Sequence, residues 1–271
     1  MTTNSLNAAV NPAMANNLIA QATAEPETTV QPAAITPPSE TLVTLPGGYV
    51  SSAGEVVKTA EVRELTGRDE EVITKASSLS KAFPTILNRG VVSVGKEKAT
   101  EEILDKMLAG DRDALLVGIY KATFGPHATL ICWCSGCNDS KEVEVDVDTD
   151  IKSKVLVDPV TDRRFTVFGK DKEFLVQLPT GYTQKEITAN TDKTMAELQT
   201  ILLEQTVLEI DGSPVISKTQ IQNLGIMDRR KIGEELSKRA PGPQFDDVTI
   251  DCPDCGGKVV VPITLGALFQ F

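Results

Sequence analysis

Apolar positions recur along this chain in short blocks whose period switches between two and about 3.6, the pattern of a mixed α+β fold. Order is expected from Val43, where Leu45-Pro46-Gly47-Gly48-Tyr49-Val50 runs into a Ser51-Ser52-Ala53-Gly54 turn and residues 55–65 alternate as the return strand of a hairpin. Thr66 caps a helix to about Ser78, with Asp69, Glu70 and Glu71 at its positive end. Residues 80–88 form a second helical piece, with Pro84 placed in its first turn. Thr100 caps a third, whose Ile103, Leu104, Met107 and Leu108 share a face before Gly110 stops it. Asp111 caps a fourth, with Leu115, Leu116, Ile119, Tyr120 and Phe124 in one stripe before Gly125.

The period then shortens. Strands are expected at 128–133, 142–147, 155–157, 164–168 and 173–178, closed by Leu178-Pro179-Thr180-Gly181. A helix at 195–203 turns Met195, Leu198, Ile201 and Leu202 inward, and residues 207–210 return as a strand ending in Asp211-Gly212. Ser217 caps a short helix to Leu224, and 227–239 give one more. Pro241-Gly242-Pro243 leads into strands at 247–251 and 258–263. The apolar end from Leu265 packs on the core or, alternatively, makes an exposed assembly contact. Residues 1–42 are almost uncharged, rich in Ala, Thr, Asn and Pro, and lack a sustained period, so they read as a disordered leader. The remainder, 43–271, reads as one domain: helical over about 66–125, β-rich over about 126–180, helical over about 184–240, and β again over about 244–264.

Two of these strand pairs carry the chemistry. Cys134-Ser135-Gly136-Cys137 lies between one pair, and Cys252-Pro253-Asp254-Cys255 between the other. The C-x-x-C spacing lets two thiolates from one tight turn meet a tetrahedral metal ion. Gly256-Gly257 supplies positive φ after the second knuckle, and Asn138-Asp139 can do so after the first. Strand, knuckle, strand, twice, is the pattern of a four-cysteine zinc ribbon. Cys134, Cys137, Cys252 and Cys255 would leave no open coordination position, which makes the expected zinc structural. Two disulfides, or two unrelated cysteine pairs, are the competing readings. Adjacent C-x-x-C thiols form strained disulfides, which favours the metal.

Composition narrows the function classes. A net charge of −11 argues against a nucleic-acid partner. No apolar run approaches membrane-span length, and no Lys or Arg precedes Lys58, so neither a secretory nor an Arg-rich transit segment is expected. A reducing cytoplasm follows as the expected compartment. No catalytic set is legible: His127 is the single histidine, and neither a phosphate-binding loop nor a dinucleotide motif is present. His127 is an alternative ligand beside the first knuckle, Cys132 a core thiol on the same side as Cys134, and Trp133 a half-buried structural residue. The acidic stretch 146–150 and Asp246-Asp247 are expected to be solvated edges, with loose divalent-cation binding as the alternative.

A resemblance adds to this. Leu45-Pro46-Gly47-Gly48-Tyr49, followed by Glu64-Leu65-Thr66-Gly67-Arg68-Asp69-Glu70-Glu71, resembles the N-terminal signature of the baseplate hub assembly chaperones, or baseplate proteins, of T-even-type contractile phage tails. Gly110-Asp111-Arg112-Asp113-Ala114-Leu115-Leu116 with Thr123-Phe124-Gly125, then Leu178-Pro179-Thr180-Gly181, are similar to later family motifs in the same order, and the paired knuckles agree. The chain departs from that pattern at Tyr182-Thr183-Gln184 and in carrying Cys132. The resemblance implies a non-enzymatic protein that assembles or forms the baseplate by binding other tail proteins, the hub or the tape measure among them. It would work in the host cytoplasm during assembly or in the virion tail. The alternatives are a zinc-ribbon adaptor in transcription or nucleic-acid processing, against which the charge speaks, and a metal-dependent hydrolase using Asp146 or Asp148.

Overall fold

The computed structural model describes residues 41–269. The expected leader thus lies outside the described residues apart from Thr41 and Leu42, as do the last two residues of the apolar end. The architecture is α+β, with helices packed on antiparallel sheets. Strands β1 (Leu42–Val50) and β2 (Val56–Val62) form the expected hairpin. Its register slips between Thr44 and Tyr49, because Pro46, Gly47 and Gly48 bulge out of the ladder and Gly48 takes φ +68°. The sheet gains two strands that the pattern did not reveal, β3 (Val91–Val94) and the two-residue β4 (Glu97–Lys98).

Helix α1 (Gly67–Ile73) starts at Thr66 as expected, with the Thr66 N–H donating to Asp69 Oδ2 at 2.9 Å. Asp69 also meets Arg63 at 2.9 Å, and that guanidinium holds its carboxyl far below the usual range. In α2 (Leu79–Gly90), Pro84 lies inside the helix rather than in its first turn, so the Ser80 carbonyl has no i+4 partner.

The largest departure concerns α3 (Glu101–Lys106) and α4 (Ala109–Phe124). Gly110 and Asp111 neither stop one helix nor cap the next; both sit in the first turn of α4, whose N-cap is Leu108. Gly110 is needed there because a Cβ would stand 1.8 Å from the carbonyl oxygen of Pro241, just before the strand-like segment β12 (Gly242–Gln244) that crosses it. Asp111 is fully buried, and its Oδ1 accepts the Gly47 N–H of the β1 bulge at 2.6 Å. Tertiary contact has overridden a local stop signal. The stripe on α4 buries Leu115, Leu116, Ile119 and Tyr120 as expected, but Phe124 is exposed.

Strands β5 (His127–Cys134) and β6 (Asp139–Asp146) pair without a slip, and β13 (Val248–Asp251) pairs with β14 (Lys258–Val261). Residues 155–157 are not a strand: β7 (Lys152–Lys154) comes just before and pairs with β12, leaving Val155 and Val157 exposed around buried Leu156. A sheet in the order β11-β10-β9-β8, made of β8 (Arg164–Phe168), β9 (Glu173–Gln177), β10 (Val207–Ile210) and β11 (Ser213–Pro214), carries a separate core. That core buries Val167, Phe174, Val176, Leu203, Val207, Ile221, Ile232 and Leu236. Helix α7 (Met195–Thr206) turns Thr200, Ile201, Leu203 and Thr206 inward, while Met195 is 80% exposed against expectation. Ahead of it come the single turn α5 (Val147–Asp150), which follows β6, and α6 (Gly181–Ala189), which begins at the end of Leu178-Pro179-Thr180-Gly181. The C-terminal Leu268 and Phe269 are buried, and Phe269 stacks edge-on with Tyr120 and Phe83, which gives the apolar end its core role over the described residues.

Candidate metal centre

The alternation along β5 buries Ala128, Leu130, Cys132 and Cys134 and exposes every residue between them. The ladder ends with Cys134 opposite Asp139, and Asn138 at φ 55° turns the chain across the gap. In the second knuckle the Cys252 N–H donates to the Gly257 carbonyl at 2.8 Å, and Gly256 at φ 69° makes the reversal. Both turns therefore use the positive-φ residues that the sequence offered.

The two knuckles face one another. The four Sγ atoms of Cys134, Cys137, Cys252 and Cys255 all lie within 4.8 Å of each other. Cys134 meets Cys255 at 3.7 Å and Cys137 meets Cys252 at 3.6 Å, so each closest pair crosses between knuckles. A disulfide needs about 2.05 Å. By contrast, four sulfurs about 2.3 Å from one tetrahedral ion stand about 3.8 Å apart, close to the separation of the two crossing pairs. The approach depends on missing side chains: a Cβ on Gly136 would come 2.9 Å from Cys255 Sγ, and one on Gly257 3.2 Å from the same atom. The Gly257 N–H points at Cys255 Sγ from 3.4 Å. Backbone N–H groups of Asp254 and Cys255 pull the Cys252 thiol down to about 7, while the neighbouring thiols of Cys255 and Cys252 push Cys137 up. Four thiolates this close repel strongly unless a cation lies among them, and so the donor set fits a soft divalent metal such as zinc.

A feature the sequence reading missed reinforces the junction. Lys141, on the same side of β6 as the cysteines, reaches Asp139 at 3.0 Å and Asp254 at 2.6 Å, and these two carboxylates raise its pKa. It thereby ties the first knuckle to the second by charge, across 113 residues of chain. A lysine on an acidic strand gives no local sign of such a partner.

The other candidates fall elsewhere. His127 is exposed at the far end of β5, with Nδ1 3.5 Å from Glu144 Oε1, and is not among the clustered ligands. Cys132 is a buried core thiol whose pKa burial raises. Trp133 is not half-buried: it is 61% exposed on the outer face of β5. Asp146 accepts the Asp148 N–H at 2.9 Å and Asp148 pairs with Lys121 at 2.5 Å, so this acidic stretch caps and pairs, and Asp246 and Asp247 are exposed. Among the described residues, the four cysteines are the group of metal-ligating side chains that converges.

A family model described as the T4 bacteriophage base plate protein matches residues 46–270. The chain belongs to that family. It is thus a T4-type phage baseplate protein, one that interacts with other phage tail or baseplate proteins. No curated protein and no solved structure matches it. No helix among the described residues of this baseplate protein is long and apolar enough to cross a membrane. The motifs that carry the resemblance converge in space around the start of α4. Gly47 of the first motif donates to Asp111 of the second. Pro179 of the third accepts the Ala109 N–H at 2.9 Å, and the Gly181 N–H donates to the Met107 carbonyl at 2.9 Å. Gly181 also lies against buried Arg112, which pairs with buried Asp105 at 3.1 Å. These motifs build a junction of the fold.

Proposed function

We propose that this baseplate protein acts without catalysing a reaction, assembling or forming the hub region of a contractile tail by binding other tail proteins, with a structural zinc held by Cys134, Cys137, Cys252 and Cys255. The family match over residues 46–270 carries the role. The four convergent sulfurs support the metal, whose contribution is to fix the two knuckles together. With four thiolates bound, such an ion has no open position for a substrate, and apparent binding free energies of roughly 10–16 kcal/mol make it a folding element. Residues 43–271 are accordingly proposed to fold as one zinc-stapled domain, closed by a ribbon of the two hairpins. The protein is proposed to meet its partners, the hub or tape measure, in the host cytoplasm during assembly and to occupy the baseplate if it stays in the particle.

The deciding experiment is a pull-down of the tagged protein from cells expressing the parent tail cluster, with mass spectrometry of what is recovered. Hub, wedge or tape-measure proteins are the expected companions, and comparison with finished particles separates chaperone from component. Recovery of polymerase or nucleic acid would overturn the reading in favour of an adaptor. Metal analysis of protein purified without chelator is expected to find one zinc per chain.

A further inference from the structure

We propose that the outer face of the β5–β6 hairpin docks a basic segment of another tail protein, which sets an apolar side chain against Ile131 and Trp133 and lysine or arginine against Glu142 and Glu144. This rests on the reading of the protein as one that works by binding tail partners. The inner face of the hairpin is committed to the core through Leu130, Cys132, Val143 and Val145. The outer face of a half-buried antiparallel sheet is ordinarily polar. Here it carries Ile131, 70% exposed, and next to it the single tryptophan of the chain, 61% exposed. Tryptophan, with tyrosine and arginine, is enriched at the energetic centres of protein interfaces.

Charge identifies the occupant. Directly across the ladder, Ile131 faces Glu142, Trp133 faces Ser140, Thr129 faces Glu144 and His127 faces Asp146. An acidic lane therefore runs beside an apolar one. Glu142 has no ion pair or hydrogen bond from its side chain among the described residues, and Glu144 has only His127 at 3.5 Å. Lys141 cannot help, because it lies on the opposite face and is engaged by Asp139 and Asp254. Residues 1–40 contain Glu25, Glu27 and Glu40 and no lysine or arginine, so this chain's own N-terminal segment has the wrong charge. A second copy apposed by the same face would set its Glu142 and Glu144 against the same two carboxylates, and like charges across an interface are disfavoured. The complement is a foreign segment that is both apolar and basic.

The test places a photo-crosslinker in the full chain by Trp133→p-benzoylphenylalanine, in cells expressing the tail cluster. The expected result is a crosslink to a tail protein, mapped to a peptide with lysine or arginine beside an apolar residue. Crosslinking at that position should fall about tenfold when Glu142→Lys and Glu144→Lys are added, and Trp133→Ala should weaken ordinary recovery by about tenfold or more. Metal content and melting of each variant confirm its fold, with Glu142→Gln and Glu144→Gln as the milder pair should the reversal fail to fold. Crosslinks confined to a second copy or to residues 1–40, an acidic target peptide, or no crosslink while the parent protein still recovers tail proteins would overturn the proposal and leave the baseplate reading intact. A parent protein that recovers no tail protein at all would instead bring down the functional reading, and this proposal with it.

Discussion

The described residues hold two cores built on different principles. The larger runs from Leu45 to Ile151 and resumes with Cys252 to Phe269. The smaller, from Val167 to Leu236, lies wholly within the gap between those halves. The first is thus discontinuous in sequence, and its closest sulfur contacts join residues 115 and 121 apart. The second is continuous and has no such staple. They differ in polarity too. Asp69, Asp105, Asp111 and Arg112 are buried in or beside the first core, whereas Thr200 and Thr206 are the buried polar residues of α7 in the second. Leu108, Leu156 and Leu178 form a small bridging cluster, with Phe165 packed against both it and the second core. The difference teaches where a metal would be useful: a core closed by a long excursion of the chain must overcome loop-closure entropy that a continuous one does not face.

The largest expected effect tests that contrast directly. Cys255→Ser should destabilise the protein by about 4–6 kcal/mol and open β13 and β14 to protease, with hydrogen exchange rising in β5, β6 and β14 far more than in β9 and β10. A variant that melts like its parent would sink the staple. The mirror experiment is Leu203→Ala in the fully buried centre of the second core. It should cost about 2–5 kcal/mol, deprotect β9, β10 and α7, and leave zinc content unchanged. Metal loss on that substitution would show the two cores to be a single cooperative unit.

A smaller effect concerns charge. Burial raises the Asp111 carboxyl to about 6, with Oδ2 left without a hydrogen-bond partner. Its folded pKa thus exceeds the unfolded value, and the folded state holds the extra proton between about pH 4 and 6. Stability contributed by the neutral acid is therefore present at low pH and lost as pH rises through about 6. Relative to the parent, Asp111→Asn should gain about 2–3 kcal/mol between pH 4 and 7 in paired denaturation curves, any acid release of metal being common to both. A flat difference would mean that the carboxylate is better solvated than its burial implies. Asp69 works in the opposite sense and at lower pH, because Arg63 depresses its pKa; its contribution is lost only as pH falls through that depressed value. The smallest effect is Met195→Gln, expected to change stability by no more than about 0.5 kcal/mol because Met195 stands in solvent at the start of α7. A cost above about 2 kcal/mol would return Met195 to the core.

What the sequence by itself determined is local. Short apolar stretches bounded by a knuckle or by turn residues placed β5, β8 and β9 within a residue or two, Thr66 and Thr100 marked helix starts, and the two C-x-x-C knuckles were legible with their Asn138 and Gly256 turns. Each of these rests on interactions within a few residues of itself. The tertiary structure alone decided what depends on distant neighbours. Gly110 reads as a stop until Pro241 is found against its Cα, and Asp111 reads as a cap until Gly47 is found on its carboxylate. Trp133 looks like half-buried structure until the pairing of β5 with β6 turns it outward. Lys141 has no local sign of Asp254. That the four sulfurs meet at all belongs with these: each knuckle is written in its own six residues, but their convergence depends on the intervening core folding so that residues 115 and 121 apart come within sulfur contact.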